Sequence, residues 1–359
     1  MIQYIVRRIF LSIPVLLGIL AVTFAMARLI PGDPCRAILG EKATAAVCDR
    51  FIREKGLDKP IHVQFGIYLG EILRGDFGQS IRYGMPVTRL LVERLPMTVE
   101  LSFFALIVSM VIGIPLGIIS AVRHNSWVDV ITMVWANTGV SMPVFWLGLM
   151  LAYVFSLLLK DTPFWLPPSG RVSPGIPTDP FYEVWGLTVP EAGLGQSILY
   201  ILGRLYVLNA LLTANWELLK DAIVHLILPS LALGTIPMAL IARMARSSML
   251  EVLGQDYIRT ARAKGLPKMK VVMKHAFRNS LLPIVTVIGL SLGSLLGGAV
   301  LTETVFGLSG VGRTLYDAIT ARDYGIVQAF TVVIAFFFVA LNLLVDISYA
   351  YLDPRIRLD

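Results

Sequence analysis

Six long runs without a charged residue constrain the fold of this chain more than any other feature of its sequence. A bilayer core of about 30 Å takes roughly 20 apolar residues to cross as a helix, and each run is near or above that length. Lipid offers the backbone no hydrogen-bond partners, so each run is predicted to be helical. The sequence therefore predicts an all-α membrane protein with six transmembrane helices, in residues 9–27, 101–122, 130–159, 226–242, 280–302 and 324–345.

Charge supports the membrane assignment and sets the orientation. Charged residues make up 15% of the chain, against about 25% in an average soluble domain. The most basic segment, residues 243–278, is predicted to be cytoplasmic because Lys and Arg accumulate in loops on that side. This placement accounts for the net charge of +7 without nucleic-acid binding. Arg7 and Arg8 put the N-terminus in the cytoplasm, and six spans return the C-terminus to the same side.

Residues 196–216 form a further apolar stretch, interrupted only by Arg204. A seventh span here would move the basic segment 243–278 to the outside, against the positive-inside rule. The stretch is therefore predicted to be a helix on or near the outer face.

Six spans divide the chain into regions of different exposure. These are a cytoplasmic stub and first helix (1–30), an extracytoplasmic segment (31–95), a five-helix core (96–350) with an outer insertion (160–222) and a cytoplasmic loop (243–279), and a cytoplasmic tail (351–359).

The sequence motifs of nucleotide hydrolysis and metal catalysis are missing. There is no G-x-x-x-x-G-K-[ST] phosphate loop, no G-x-G-x-x-G and no H-E-x-x-H. We therefore predict no catalytic residue, cofactor or metal in this chain.

Gly307-Leu308-Ser309-Gly310 matches the G-x-S-G of intramembrane serine proteases, but every histidine precedes Ser309, whereas that family's base follows its serine. An ion-coupled carrier, the main alternative function, usually has charges inside its spans, and the six runs have none.

Two further patterns concern packing and cross-linking. Gly289, Gly293 and Gly297 recur along the fifth span at a spacing that lets helix backbones approach closely. Packing within the chain is favoured over a contact with another subunit. Cys35 and Cys48 are the only cysteines, and both lie in the first outer segment, where disulfides can form. A bridge between them is predicted, with two unpaired thiols as the alternative.

The loop between the fourth and fifth spans carries a corner motif outside the bilayer. Asp256 is placed to cap a short helix, Gly265 to end it in a left-handed conformation, and Pro267 to begin a second helix. The loop either only sets topology or docks its short helix into a groove of a partner, and the well-specified corner favours docking. The candidate docking residues are Asp256, Tyr257, Arg259, Thr260, Ala261, Arg262, Ala263, Lys264, Gly265 and Leu266.

Short motifs, in order along nearly the whole chain, resemble those of the B-type permeases of peptide/nickel ABC importers. They include Tyr4-Ile5-Val6-Arg7-Arg8, Pro31-Gly32-Asp33-Pro34, Gly75-Asp76-Phe77-Gly78-Gln79-Ser80, Arg94-Leu95-Pro96-Met97-Thr98-Val99-Glu100-Leu101, Pro143-Val144-Phe145-Trp146-Leu147-Gly148, the segment 256–266, Arg278-Asn279-Ser280-Leu281-Leu282-Pro283, Glu303-Thr304-Val305-Phe306 and Gly310-Val311-Gly312. The chain departs from the general ABC loop pattern, Glu-Ala-Ala, at Arg259-Thr260-Ala261.

The resemblance implies a type I ABC importer permease in a prokaryotic inner membrane, transporting di- or oligopeptides or similar small solutes. It implies a homologous second permease, two ATPase subunits that bind ATP and Mg²⁺, and an extracytoplasmic solute-binding protein as partners. Residues 256–266 would then be the loop that grips the ATPases. For the outer stretch 174–216, the resemblance implies no role.

Overall fold

The computed structural model describes residues 2–29, 44–54, 56–80, 82–190, 193–321 and 323–352. Within these ranges the regular structure is helical, apart from one isolated bridge between Gln79 and Pro86. In chain order the helices are α1 (Ile2–Leu29), α2 (Ala45–Glu54), α3 (Ile61–Leu73), α4 (Val87–Val122), α5 (Trp127–Ser141), α6 (Val144–Ala152), α7 (Phe181–Val184), α8 (Leu194–Gly203), α9 (Tyr206–Leu212), α10 (Trp216–Leu253), α11 (Asp256–Ala263), α12 (Lys268–Lys270), α13 (Arg278–Gly298), α14 (Val300–Val305), α15 (Val311–Thr320) and α16 (Tyr324–Leu352). Wider π turns extend α6 through Tyr153–Leu158 and join α12 to α13 through Val271–Phe277.

Five helices in the described part of the chain are long and apolar enough to cross a membrane: α1, α4, α10, the joined α12–α13 and α16. The third predicted span is a broken helix, in which α5 and the extended α6 meet at 101°. The break falls at Met142, which is extended and precedes Pro143, because a residue before proline is disfavoured in the helical conformation. The five helices and this broken pair account for the six predicted spans.

The apolar stretch 196–216 folds back on itself instead of forming one helix. Helices α8 and α9 have 10 and 7 residues and meet at 90°, so neither could cross a bilayer alone. At their junction the backbone N–H of Val207 donates at 2.7 Å to the carboxylate of Glu100, which directly precedes the uncharged part of α4. The single outer helix expected from the sequence is therefore a bent pair held against α4.

Two spanning helices extend well beyond their uncharged runs. Helix α4 begins at Val87, inside the segment predicted as extracytoplasmic, and continues through Pro96. Helix α10 begins at Trp216, inside the predicted outer insertion, and ends at Leu253. The hydrogen bonds of a helix persist in water as well as in lipid, so the ends of an uncharged run mark the bilayer rather than the helix.

The core of the molecule is the contact between α4 and α10. A Cβ added to Gly113 would lie 2.7 Å from the carbonyl oxygen of Met238, and one added to Gly234 would lie 2.7 Å from that of Ala105. Around this contact a buried apolar cluster joins α4, α10 and α13: Met97, Leu101, Ala105, Leu106, Leu226, Leu228, Ala232, Leu233 and Leu295. Small residues thus let two backbones touch at the centre of the bundle, as expected for membrane helices.

We expect Gly117→Ala to destabilise the chain, because the new Cβ would lie 2.5 Å from the carbonyl oxygen of Ala242 and 2.6 Å from the Cβ of Ala245. Overpacking of this kind costs about 1–3 kcal/mol. Gly297→Ala is the matched control, since no atom lies within 4 Å of its added Cβ. Thermal midpoints in detergent, followed by size-exclusion chromatography, should fall for the first variant only. Equal midpoints would contradict the close α4–α10 contact.

The glycine series in the fifth span divides into two groups. Added Cβ atoms at Gly289 and Gly293 would collide with Val345 and Phe338 of α16, the latter at 2.6 Å. These two glycines therefore face a helix of the same chain, whereas Gly297 is open.

In the first outer segment Cys48 is buried on α2, and Cys35 lies outside the described residues, so the Cys35–Cys48 bridge stays a prediction.

Candidate functional site

The corner predicted to be cytoplasmic, residues 255–270 and called the cytoplasmic corner below, consists of α11, a tight turn and the start of the next helix. Gly265 has φ +72°, a left-handed conformation that glycine adopts without a steric penalty. Its N–H donates to the carbonyl of Arg262 at 2.9 Å, and the N–H of Leu266 donates to that of Ala261 at 3.4 Å. This pair of bonds is the Schellman arrangement that ends many helices. The sequence predicted both the left-handed glycine and the two helices on either side of it.

One expected detail of the corner is wrong. Asp256 does not cap α11: the cap position is Gln255, whose side chain makes no capping hydrogen bond. The Asp256 carboxylate instead accepts from Arg259 at 3.3 Å, on the exposed surface. Such an exposed ion pair contributes little to stability, so packing rather than capping has to hold this short helix in place.

The buried face of α11 rests on the adjoining ends of α4 and α10 and on the π turn that follows α12. Ile258 and Ala261 are buried, and full burial of an isoleucine side chain is worth about 1.5–3 kcal/mol. They join a cluster formed by Ala121 of α4, Met249 of α10 and Val271, Val272 and Ala276 of the π turn. The Tyr257 hydroxyl accepts a hydrogen bond from Asn279 at 2.9 Å. The corner is thus fixed to the membrane helices beneath it.

The opposite face of the corner is exposed and basic. Arg259, Arg262 and Lys264 are exposed on α11 and its end, and Lys268 and Lys270 follow on α12. Met269, between these lysines, is 72% exposed. A basic surface with an exposed methionine, on a helix whose other side is buried, has the properties of a docking surface for another protein.

A groove lies between α10 and α13. This open groove has a volume of about 450 Å³ and combines apolar side chains with polar ones: Leu240, Arg243, Met244, Ser247, Val287, Leu290, Ser291 and Ser294. The hydroxyls of Ser291 and Ser294 donate to carbonyls of their own helix. Polar residues on membrane helices usually face a bundle interior or an aqueous cavity rather than lipid. Among the described residues, no cluster of His, Cys, Asp and Glu could hold a metal ion.

Comparison with known proteins decides the family. Residues 113–358 match the family described as binding-protein-dependent transport system inner membrane component, and residues 1–102 match the N-terminal family of the same membrane components. The chain belongs to this family of ABC importer permeases. It is a multi-pass transmembrane permease subunit of an ABC importer and works in a complex with other components of that system, among which the ATPase is a separate subunit.

Curated relatives of this permease match it from end to end. The dipeptide transport system permease protein DppB of Alkalihalophilus pseudofirmus is 44% identical over 357 residues, which are 99% of this chain and 100% of the relative. DppB of Escherichia coli K12 is 43% identical over 359 residues, 99% of each chain. The di/tripeptide transport system permease protein DppB of Pseudomonas aeruginosa is 41% identical over 358 residues, again 99% of each.

Several motifs that carried the family resemblance meet at the end of the bundle that is predicted to be outside, and are called the outer polar cluster below. Glu303, beyond the end of the fifth spanning helix, accepts from the Thr98 hydroxyl at 2.6 Å and from the backbone N–H of Arg313 at 2.7 Å. Burial raises the pKa of its carboxyl to about 7, despite these donors. Thr98 also accepts from the N–H of Val311 at 2.8 Å. A Cβ at Gly310 would lie 2.5 Å from the Thr98 hydroxyl, which explains glycine there.

Sequence reasoning located the corner of this permease but missed the groove and the outer polar cluster. The groove had one readable signal: Arg243 and Ser247 are four residues apart, which puts two polar side chains on one face of α10. The outer cluster had none, because Thr98 and Glu303 are distant in sequence. Ser309, weighed as a protease nucleophile, is exposed in the turn before α15.

Proposed function

We propose that this permease translocates di- or oligopeptides across a prokaryotic inner membrane, with both of its termini in the cytoplasm. It pairs with a homologous second permease. Two ATPase subunits bind ATP and Mg²⁺ below the membrane, and an extracytoplasmic solute-binding protein delivers the peptide.

The peptide assignment rests on one observation: proteins named as dipeptide or di/tripeptide permeases match this chain over 99% of its length at 41–44% identity. Because the match covers all spans, it includes the membrane-embedded surface that contacts the solute. A match confined to the cytoplasmic loop would not include that surface. The α10–α13 groove, with Arg243 and several serines beside apolar side chains, has a composition suited to a small amphiphilic solute.

The proposed ATPase contact is the exposed face of the cytoplasmic corner. Its residues are Asp256, Tyr257, Arg259, Thr260, Arg262, Ala263, Lys264 and Gly265, with Ala261 and Leu266 forming the base of the turn. Because Ile258 locks α11 to the ends of α4 and α10, a push on this face would reach the spanning helices. Alternating access by rigid-body movement requires such a connection.

The test is transport by the reconstituted complex. We expect proteoliposomes that contain this permease, its partner permease, the ATPases and the binding protein to accumulate a radiolabelled dipeptide. Accumulation should occur only when ATP and Mg²⁺ are present on the side of the membrane that carries the ATPases. Omitting the ATPases should abolish uptake. Uptake driven by a proton or sodium gradient without ATP would instead support an ion-coupled carrier, and uptake of another solute class would overturn the peptide assignment.

A further inference from the structure

A partly buried ion pair joins the broken third span to α10 near the cytoplasmic corner. Arg246 of α10 contacts Asp129 of α5 through two hydrogen bonds, Nε to Oδ1 at 2.8 Å and Nη2 to Oδ2 at 2.9 Å. The Ser120 hydroxyl, near the end of α4, donates to the same carboxylate, as does the backbone N–H of Asn125 at 3.1 Å. Asp129 is only 5% exposed. One carboxylate therefore ties together α4, the following turn, α5 and α10.

Position makes this pair part of the path from the corner to the membrane. Arg246 directly follows Ala245, whose Cβ is packed against Gly117 of α4. Further along α10, Met249 lies in the cluster beneath Ile258 of the corner. The ends of α4, α10 and α11 thus form one packed unit, and the Asp129–Arg246 pair attaches α5 to it.

The chemistry of the pair suits orientation better than stability. A buried ion pair often adds little net stability, because desolvation offsets the attraction, whereas a two-bond guanidinium–carboxylate contact fixes direction. Elsewhere α5 meets α10 through the close approach of Gly139 to Thr235 and a bond from Arg243 to Asn137 at 3.2 Å. Its other face exposes Ile131, and it ends at the 101° bend. The Asp129–Arg246 pair adds a two-bond contact near the N-terminal end of α5, and this contact fixes the rotation of that end.

We infer that Asp129 and Arg246 are positioning residues that make α5 move with the corner, so that movement of the ATPases reaches the broken third span. This role rests on the proposed function, since it presumes that the corner docks to ATPases. It is separate from the docking surface itself, because neither residue lies on the exposed face of α11.

One arm of the test measures coupling. In proteoliposomes with all partners, we expect Asp129→Asn to leave subunit ratio and ATP hydrolysis near wild type while dipeptide uptake per ATP falls roughly fivefold or more. Arg246→Lys keeps the charge but not the two-bond geometry, so its uptake per ATP should lie between the values for wild type and Asp129→Asn. Glu251→Gln, an acid-to-amide change at an exposed position further along α10, is the matched control. Proportional losses of assembly, hydrolysis and uptake would indicate a merely structural pair and overturn the inference, as would unchanged coupling.

The second arm measures position without transport. Spin labels at Val134 of α5 and Glu251 of α10, both exposed, are introduced in a Cys35→Ser, Cys48→Ser background and measured in the assembled complex. We expect one narrow distance distribution for the parent and a broadened one for Asp129→Asn. A narrow, unshifted distribution in Asp129→Asn would overturn the inference. Absence of ATP-driven uptake by the wild-type complex would count against the proposed function. The distance measurement would still decide whether the Asp129–Arg246 pair fixes the position of α5 relative to α10.

Discussion

Gly265→Val is expected to disconnect ATP hydrolysis from uptake while leaving the spans inserted. The residue at the corner has φ +72°, and a β-branched side chain there costs about 1–3 kcal/mol. No atom lies within 4 Å of its added Cβ, so the penalty comes from the backbone alone. The chain can relieve it by changing the turn, which would redirect α12 and displace the exposed face of α11. Subunit ratio, ATPase rate and dipeptide uptake should be measured on one purified complex.

Three controls separate conformation from simple loss of a glycine. Gly265→Asn should keep most of the uptake, because asparagine tolerates the left-handed region. Gly254→Ala should be mild, since Gly254 has φ −81° and its added Cβ would make only ordinary contacts. Lys268→Ala changes the basic surface without altering the corner and should also do less. If Gly265→Val matches wild type in all three measurements, the loop only sets topology.

The spans and the corner were readable from sequence because their signals are local. An uncharged run reports the bilayer crossing directly, and Pro143 reports the break in the third span. The corner was readable for the same reason: Gly265 and Pro267 act on the conformation of their immediate neighbours. The prediction that Asp256 caps α11 was wrong by one residue, because the sequence does not define the end of a helix to a single position.

The polar contacts were not readable because their partners are far apart in sequence and are brought together by packing. Thr98 and Glu303 lie in two motifs that sequence reasoning treated separately, yet they share a hydrogen bond. Asp129 is an ordinary acidic residue in the first turn of α5. Nothing in the sequence around it indicates that its partner is Arg246. The bent pair α8–α9 has the same origin: hydropathy reports an apolar stretch, whereas the bend contacts Glu100, which lies 107 residues before Val207.

Glu100→Ala is expected to release the outer insertion from α4. The Glu100 carboxylate accepts from Arg171 at 2.8 Å and from the N–H of Val207 at 2.7 Å. The Arg171 guanidinium also donates to the carbonyl of Arg204 and stacks 3.8 Å from the ring centroid of Tyr206. Removing one partner leaves a largely buried charge unpaired, which costs about 3–5 kcal/mol. We expect a lower thermal midpoint and faster trypsin cleavage within residues 160–215.

The same substitution at Glu93 gives the matched control, because its partners Arg89 and Arg204 are substantially exposed. Such pairs are worth about 0–1 kcal/mol, so Glu93→Ala should shift the midpoint little. The double variant Glu100→Ala/Arg171→Ala should be less destabilised than the sum of its single variants, since no buried charge is left unpaired. Additive losses, or equal midpoints for Glu100→Ala and Glu93→Ala, would mean that apolar packing rather than this pair holds the insertion to α4.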